Sequence, residues 1–252
     1  MMPALPKVFL DRPIAHRGYH DTAAGRPENS RAAFAAAINA GYSIELDLQL
    51  SRDDAAMVFH DYQLQRLTPE TGAIRRRTVQ ELADIPLKHG DEGIPTLAEV
   101  LDLVAGRVPL LIELKDQDGA MGAGVGALEQ ATVAALEGYN GPAALMSFNP
   151  HSVVQLAQMA PEIPRGITTC GYTSENWPTL PDETRRHLRN IPDLGRAQAD
   201  FISHDWVDLS SPAVAQVKSR GLPVLCWTVC SPSEEARARR VADNVTFEGY
   251  RA

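Results

Sequence analysis

Residues 13–50 read PIAHRGYHDTAAGRPENSRAAFAAAINAGYSIELDLQL, and this stretch decides the fold because it holds one complete strand–helix–strand unit. The short run Ile14-Ala15-His16 opens it. Asn29 or Ser30 then offers a side-chain oxygen to cap a helix, Phe34 and Ile38 stand four apart on one face, and Gly41 supplies the stop. Ser43 to Leu50 follows as a strand of strict alternation, with Ile44, Leu46, Leu48 and Leu50 on one parity and Glu45 and Asp47 on the other. The apolar parity is expected to meet helices, and the acidic parity to face the interior of a barrel or its mouth.

Outward from this unit the same order recurs. The segment AAMVFHD (55–61) reads as a short extended return beside the second strand, and residues 61–94 lack strong periodicity and read as an excursion. Regular order resumes with a helix at 95–106 and the strand VPLLIELK. Pairs follow at helix 120–138 and strand AALMSF, helix 150–159 and strand IPRGITT, a helix around 181–190 and strand ADFISHD, helix 211–220 and strand LPVLCWTV, and helix 232–241 before NVTFEG. Strand runs beginning near residues 13, 43, 109, 143, 163, 200, 223 and 244 match a (β/α)8 TIM-type barrel of class α/β, with a short insertion after strand 2. One domain over 1–252 is expected, with the insertion at about 61–94. An open doubly wound sheet is the structural alternative, but no G-x-G-x-x-G follows the first strand.

Composition narrows the functional classes. With 44% hydrophobic and 22% charged residues the chain reads as an ordinary globule, and its net charge of −8 gives no footprint for nucleic acid. No apolar run approaches the ~20 residues that span a bilayer, and the start carries no signal-peptide pattern, so a cytoplasmic protein without a stable membrane anchor is expected. Cys170, Cys226 and Cys230 form no even disulfide framework and do not have the spacing of a zinc site; Cys226 and Cys230 are expected to pack as small apolar residues.

In a barrel of this kind chemistry collects at the C-terminal strand ends. His16-Arg17 ends strand 1, Glu45 and Asp47 share a face of strand 2, His60-Asp61 ends the return, and Glu113 and Lys115 end strand 3. Two anions so close need a cation or a proton between them. With Glu113 they make an all-oxygen set suited to Mg²⁺ or Ca²⁺, with Mn²⁺ acceptable to the same donors; pairing with Arg or Lys is the competing reading. His16 and His60 can flank one substrate as base and acid. Cations and a divalent metal around an anion, with two imidazoles for proton transfer, describe a site that cleaves a phosphoester.

The order IAHRG, PENS opening a helix that contains AF, IELDLQLSRDD, VFHD and IELK resembles the glycerophosphodiester phosphodiesterase family over roughly the first half of the chain, with weaker echoes in MSFNP (146–150) and CWTV (226–229). The resemblance implies a TIM-type barrel, a divalent metal, and hydrolysis of a small-molecule glycerophosphodiester to an alcohol and sn-glycerol 3-phosphate. It makes His16 and His60 the general acid/base pair and Glu45, Asp47 and Glu113 the metal carboxylates. It also puts Arg17 and Lys115 at the phosphate and Trp227 at the rim, with Glu28 a partner of Arg17. The chain departs from the pattern in lacking Gly in SRDDAAMVF and a Thr-Asp-x-Pro ending in NVTFEGY, where Glu248 is expected to be a solvated residue. A lysophospholipase D acting on lipid diesters and a barrel that binds a phosphorylated ligand without turnover are the alternatives. His151 is expected in the first turn of a helix and His204-Asp205 at the end of strand 6, where contact with substrate is the minor reading. Trp177 and Trp206 read equally as core or lid residues and as substrate contacts, and no role is expected of His20, His89 or His187.

Overall fold

The computed structural model describes residues 5–252. Its strands are β1 (Ile14–Ala15), β2 (Ser43–Leu50), β3 (Ala56–Val58), β4 (Leu110–Leu114), β5 (Ala143–Ser147), β6 (Arg165–Thr169), β7 (Phe201–Asp205), β8 (Val224–Val229) and β9 (Asn244–Phe247). All are parallel except β3, which runs antiparallel to β2, and β1 pairs with both β9 and β2, so the sheet closes on itself as an eight-stranded parallel barrel with β3 outside it. The expected TIM-type fold is therefore present, and every one of the eight expected strand runs takes a place in the barrel.

The helices are α1 (Val8–Asp11), α2 (Arg31–Ala40), α3 (Val79–Asp84), α4 (Leu97–Val104), α5 (Ala127–Leu136), α6 (Pro150–Met159), α7 (Asp182–Arg189), α8 (Pro212–Ser219) and α9 (Pro232–Ala238). Local chemistry sets their ends. Ser30 caps α2 by accepting from Ala33 N, and Gly41 follows it at φ 74°, a left-handed conformation that glycine adopts without a Cβ clash. Thr96 and Glu99 form a reciprocal capping box at α4. The expected helix at 120–138 is shorter, since Gly119, Gly122, Gly124 and Gly126 hold the chain in loop until Ala127. No helix among the described residues is long and apolar enough to cross a membrane.

Two apolar layers make the barrel rigid. Outside, Ile44, Leu46, Leu48 and Leu50 pack in one cluster with Phe34 and Ala37 of α2 and Leu97, Val100, Leu101 and Val104 of α4. Inside, the opposite parity supplies Ile14, Leu111, Ala144, Phe201 and Leu225, which pack on Leu5 and Phe9, the latter from α1, so the N-terminal end of the barrel is stoppered. Gly166 of β6 lies beside the Phe201 ring, where a Cβ would stand 2.4 Å from Cε2. Between β3 and α4 the chain builds a smaller core of Met57, Phe59, Leu64, Ile74, Leu82 and Ile94. Above the interior apolar layer the inward side chains turn polar.

Candidate active site

Register brings the reactive groups together. Asp47 of β2 stands opposite Glu113 of β4, and Ala15 stands opposite Ile44 on one side and Phe247 on the other. One residue further along, therefore, His16 meets both Glu45 and Glu248. Each strand alternates in and out, so Glu45, Asp47 and Glu113 all point into the barrel, and one oxygen of each lies within 4.8 Å of the others. These three are buried. His16, Arg17, His60, Lys115 and Trp227 join them around one cavity of about 90 Å³.

Backbone shape aims the first of these groups. Arg17 and Gly18 take φ of 53° and 80°, which turns the chain sharply at the end of β1. A Cβ at Gly18 would lie 2.9 Å from both Ala33 Cβ and Phe34 Cδ1, so only glycine lets the turn sit on α2. The turn directs Arg17 N to donate to Glu45 Oε2 (2.9 Å) and places Nη1 on Glu28 Oε1 (2.7 Å). Arg17 Nε stands 3.1 Å from Asp47 Oδ2 but at an angle that makes no hydrogen bond, which leaves a buried donor for a ligand oxygen. Asn29, at φ 55°, leaves the helix cap to Ser30 and donates instead to Asp47 Oδ2 (3.0 Å). Lys115 Nζ donates to Glu113 Oε1 (2.6 Å) and Asp47 Oδ1 (3.2 Å). Both readings of the acidic pair thus coexist, since Asp47 is ion-paired and three carboxylates still converge.

The electrostatics follow from burial and neighbours. Burial pushes the Glu45 carboxyl well above its usual range, and the charges of Asp47 and Glu113 push it further. Burial would raise Asp47 too, but Lys115 and Arg17 hold it well below. Both cations are correspondingly raised despite burial, Arg17 chiefly by Asp47 and Glu28, Lys115 by Asp47 and Glu113. Glu45 Oε1 and Glu113 Oε2 accept no hydrogen bond from the described residues. Surplus buried negative charge with free carboxylate oxygens fits a hard divalent cation.

Each imidazole is held by a carboxylate. His16 Nδ1 lies 2.6 Å from Glu248 Oε2 and His60 Nδ1 lies 2.6 Å from Asp61 Oδ1. A carboxylate only accepts, so Nδ1 carries the proton in both rings and Nε2 is left for a reacting group. Asp61 is in turn gripped by Arg66, which also spans to Glu28. The expectation that Glu248 is merely solvated is therefore corrected: barrel closure sets it against His16. His20, for which no role was expected, has Nε2 3.4 Å from the same oxygen.

Other expectations sort by position. His151 does sit in the first turn of α6, its N–H donating to the cap Asn149. His204 is buried, with Nδ1 2.7 Å from Thr169 Oγ1 and Nε2 3.3 Å from Asp208, and does not line the cavity. Cys226 is buried as expected, whereas Cys230 is exposed, because the chain has left the strand and turns toward α9 there. Trp177 packs with Phe148 and Trp227 along a second, largely apolar pocket of about 590 Å³ that opens from the first and also takes in Tyr62 and Met121.

Comparison with known proteins agrees with this arrangement. The model of the glycerophosphoryl diester phosphodiesterase family matches residues 16–244. A glycerophosphodiester phosphodiesterase of Caldanaerobacter subterraneus is 33% identical over 226 residues, covering 86% of this chain and 84% of its own. A phosphodiesterase of Oleispira antarctica, solved with the product sn-glycerol-3-phosphate, superposes with a TM-score of 0.77 at 25% identity, covering 95% of this chain and 93% of its own. The glycerophosphodiester phosphodiesterase of Thermotoga maritima has the same fold, with a TM-score of 0.70 at 23% identity and coverage of 94% of each chain. The barrel, the charged cavity at its C-terminal mouth and the family match over nearly the whole chain together make this protein an enzyme of the glycerophosphoryl diester phosphodiesterase family.

Proposed function

We propose that the chain hydrolyses glycerophosphodiesters to an alcohol and sn-glycerol 3-phosphate by proton transfer through His16 and His60 in a metal-dependent reaction. The observation that carries this reading is the pair of histidine–carboxylate couples, His16 with Glu248 and His60 with Asp61, opening on one cavity with an acidic triad and two cations. Glu45, Asp47 and Glu113 would hold the divalent ion, Mg²⁺ or Ca²⁺, with Mn²⁺ acceptable. Bound there it supplies Lewis-acid neutralisation of a phosphodiester oxygen. Arg17 and Lys115 bind the remaining phosphoryl charge as it grows. One imidazole takes a proton from the nucleophile, water or a substrate hydroxyl, and the other gives a proton to the alkoxide as the P–O bond to the alcohol breaks.

Trp227 and its neighbours line the pocket into which the non-phosphate part of the diester extends. In the same reading residues 1–252 act as one domain, the insertion at 61–94 gives Asp61, Tyr62 and Arg66 to the rim, and the enzyme works on a small molecule in the cytoplasm. The apolar character of the 590 Å³ pocket favours a second reading of the same site, hydrolysis of lysophospholipids in the manner of a lysophospholipase D.

The test is an assay of chelator-stripped protein on glycerophosphocholine, glycerophosphoethanolamine, lysophosphatidylcholine and bis(p-nitrophenyl) phosphate, with and without each metal. Metal-dependent release of glycerol 3-phosphate is expected, and His16→Ala and His60→Ala should each lower turnover by ~10²–10⁴-fold with the fold intact. Lysophosphatidate as the faster product would favour the second reading. No turnover by folded protein with any metal would refute both.

A further inference from the structure

At the rim, on the far side of His16 from the carboxylate triad, lies a second cluster of ligating side chains. His16, His20 and Glu248 each offer an atom within 4.8 Å of the others, and Cys230 Sγ is 3.9 Å from Glu248 Oε1. The two clusters differ in chemistry. The triad is all oxygen and buried, whereas this one offers two imidazole nitrogens, a carboxylate and a thiol, all partly or fully exposed to solvent. Nitrogen and sulfur select borderline and soft cations such as Zn²⁺ over Mg²⁺ or Ca²⁺.

The spacing suits a four-coordinate ion. Donors about 2.0–2.3 Å from zinc stand roughly 3.3–3.6 Å apart at tetrahedral corners. The existing separations straddle that edge: 2.6 Å from His16 Nδ1 to Glu248 Oε2, 3.4 Å from His20 Nε2 to the same oxygen, and 3.9 Å from the Cys230 thiol to the other oxygen. The His16–Glu248 hydrogen bond must open by less than ~1 Å, and His16 must shift to the Nε2–H tautomer so that the bare Nδ1 can take the metal. Cys230 sits in the exposed turn between β8 and α9, beside Glu248 but outside the group that His16, His20 and Glu248 form, so its side chain must move to complete the set. The cysteine spacing alone hides such a site, since its partners come from the first and last turns of the barrel mouth.

The geometry points to a Zn²⁺ site formed by His16, His20, Glu248 and Cys230 that, when filled, takes His16 out of the reaction and inhibits the enzyme. The inhibition rests on the reading of His16 as a proton-transfer residue; the site does not.

Zn²⁺ and, as a spectroscopic probe, Co²⁺ would be titrated into the full-length enzyme kept in excess Mg²⁺, with binding followed by calorimetry and absorption and turnover of glycerophosphocholine measured in parallel. Saturable binding of one ion is expected, with thiolate-to-cobalt charge-transfer absorption. His20→Ala should weaken it at least tenfold and Cys230→Ser should abolish the charge-transfer band. Both variants should retain basal turnover and resist Zn²⁺ inhibition by at least tenfold, and a chelator should restore the wild type. Binding with the expected variant pattern but no inhibition would uphold the site and overturn the role of His16. Binding unchanged in His20→Ala, or inhibition relieved by Mg²⁺ alone, would place the ion on the carboxylate triad and overturn the proposal, as would no binding.

Discussion

Replacing Glu248 by Gln removes the charge that fixes His16 while keeping the side-chain volume. The bond is short, 2.6 Å, and charge-assisted, a class that contributes about 1.5–3 kcal/mol. A third of the Glu248 side chain remains open to solvent, so the lower part of that range applies, about 1.5–2 kcal/mol. At 1.36 kcal/mol per decade this is roughly a 13- to 30-fold loss of kcat, provided the bond is needed in the transition state. The amide also lets Nδ1 accept instead of donate, which presents the wrong tautomer at Nε2. A merely structural role is separated by the pH profile. Burial lowers the basicity of His16 and the Glu248 bond works against that, so without it the limb of kcat/KM that belongs to His16 moves to lower pH, whichever of acid or base it serves. The assay is glycerol 3-phosphate release across pH, beside a thermal melt of each variant. A kcat within twofold of wild type with an unmoved profile would refute the argument, whatever happens to the melting temperature.

Three further outcomes follow from the packing and charge. Gly166→Ala forces a methyl against the Phe201 ring inside the barrel; overpacking costs about 1–3 kcal/mol, or roughly 2–12 °C in Tm for a chain of this size, and an unchanged melt would mean that the ring does not fill that space. Asp61 is buried enough to be raised, yet Arg66 and His60 hold it below its unfolded value near ~3.9. Its stabilisation is therefore present above that value and lost as pH falls through the folded pKa. Urea melts should show the gap between wild type and Asp61→Asn constant from pH 7 to 5 and closing toward pH 3; a gap that widens on acidification would contradict the assignment. Trp177→Ala strips an aromatic wall from the larger pocket and should raise KM for lysophosphatidylcholine by roughly tenfold, from about 1.5 kcal/mol of lost apolar burial, with little change for glycerophosphocholine. Equal effects on the two substrates would remove the pocket from the acyl chain.

What could be read in the chain was local. Alternation along β2 was enough to turn Glu45 and Asp47 to one face, and the spacing of apolar runs was enough to lay out the eight strands, because both depend on neighbours a few residues apart. Glu248 escaped because its partner His16 is 232 residues away and the two meet only when β9 closes on β1. Asn29 was seen as a possible cap, but Ser30 reaches Ala33 N and frees Asn29 for Asp47, a choice made by the left-handed turn and not by cap preference. Cys230 was misread because the small apolar residue of a strand and that of the turn beyond it look alike in sequence.

Among the described residues, the stopper formed by Leu5 and Phe9 beneath Ile14, Leu111 and Phe201 makes the barrel a pit that opens at its C-terminal mouth. Whatever enters must leave by the way it came, so two products queue at one exit. If Arg17 and Lys115 hold the phosphate as proposed, the alcohol, uncharged at its new hydroxyl, has little to hold it, whereas the phosphate monoester gains charge beside them and would depart last. On the reading proposed above, glycerol 3-phosphate, and not the alcohol, should compete with fresh substrate for the empty enzyme.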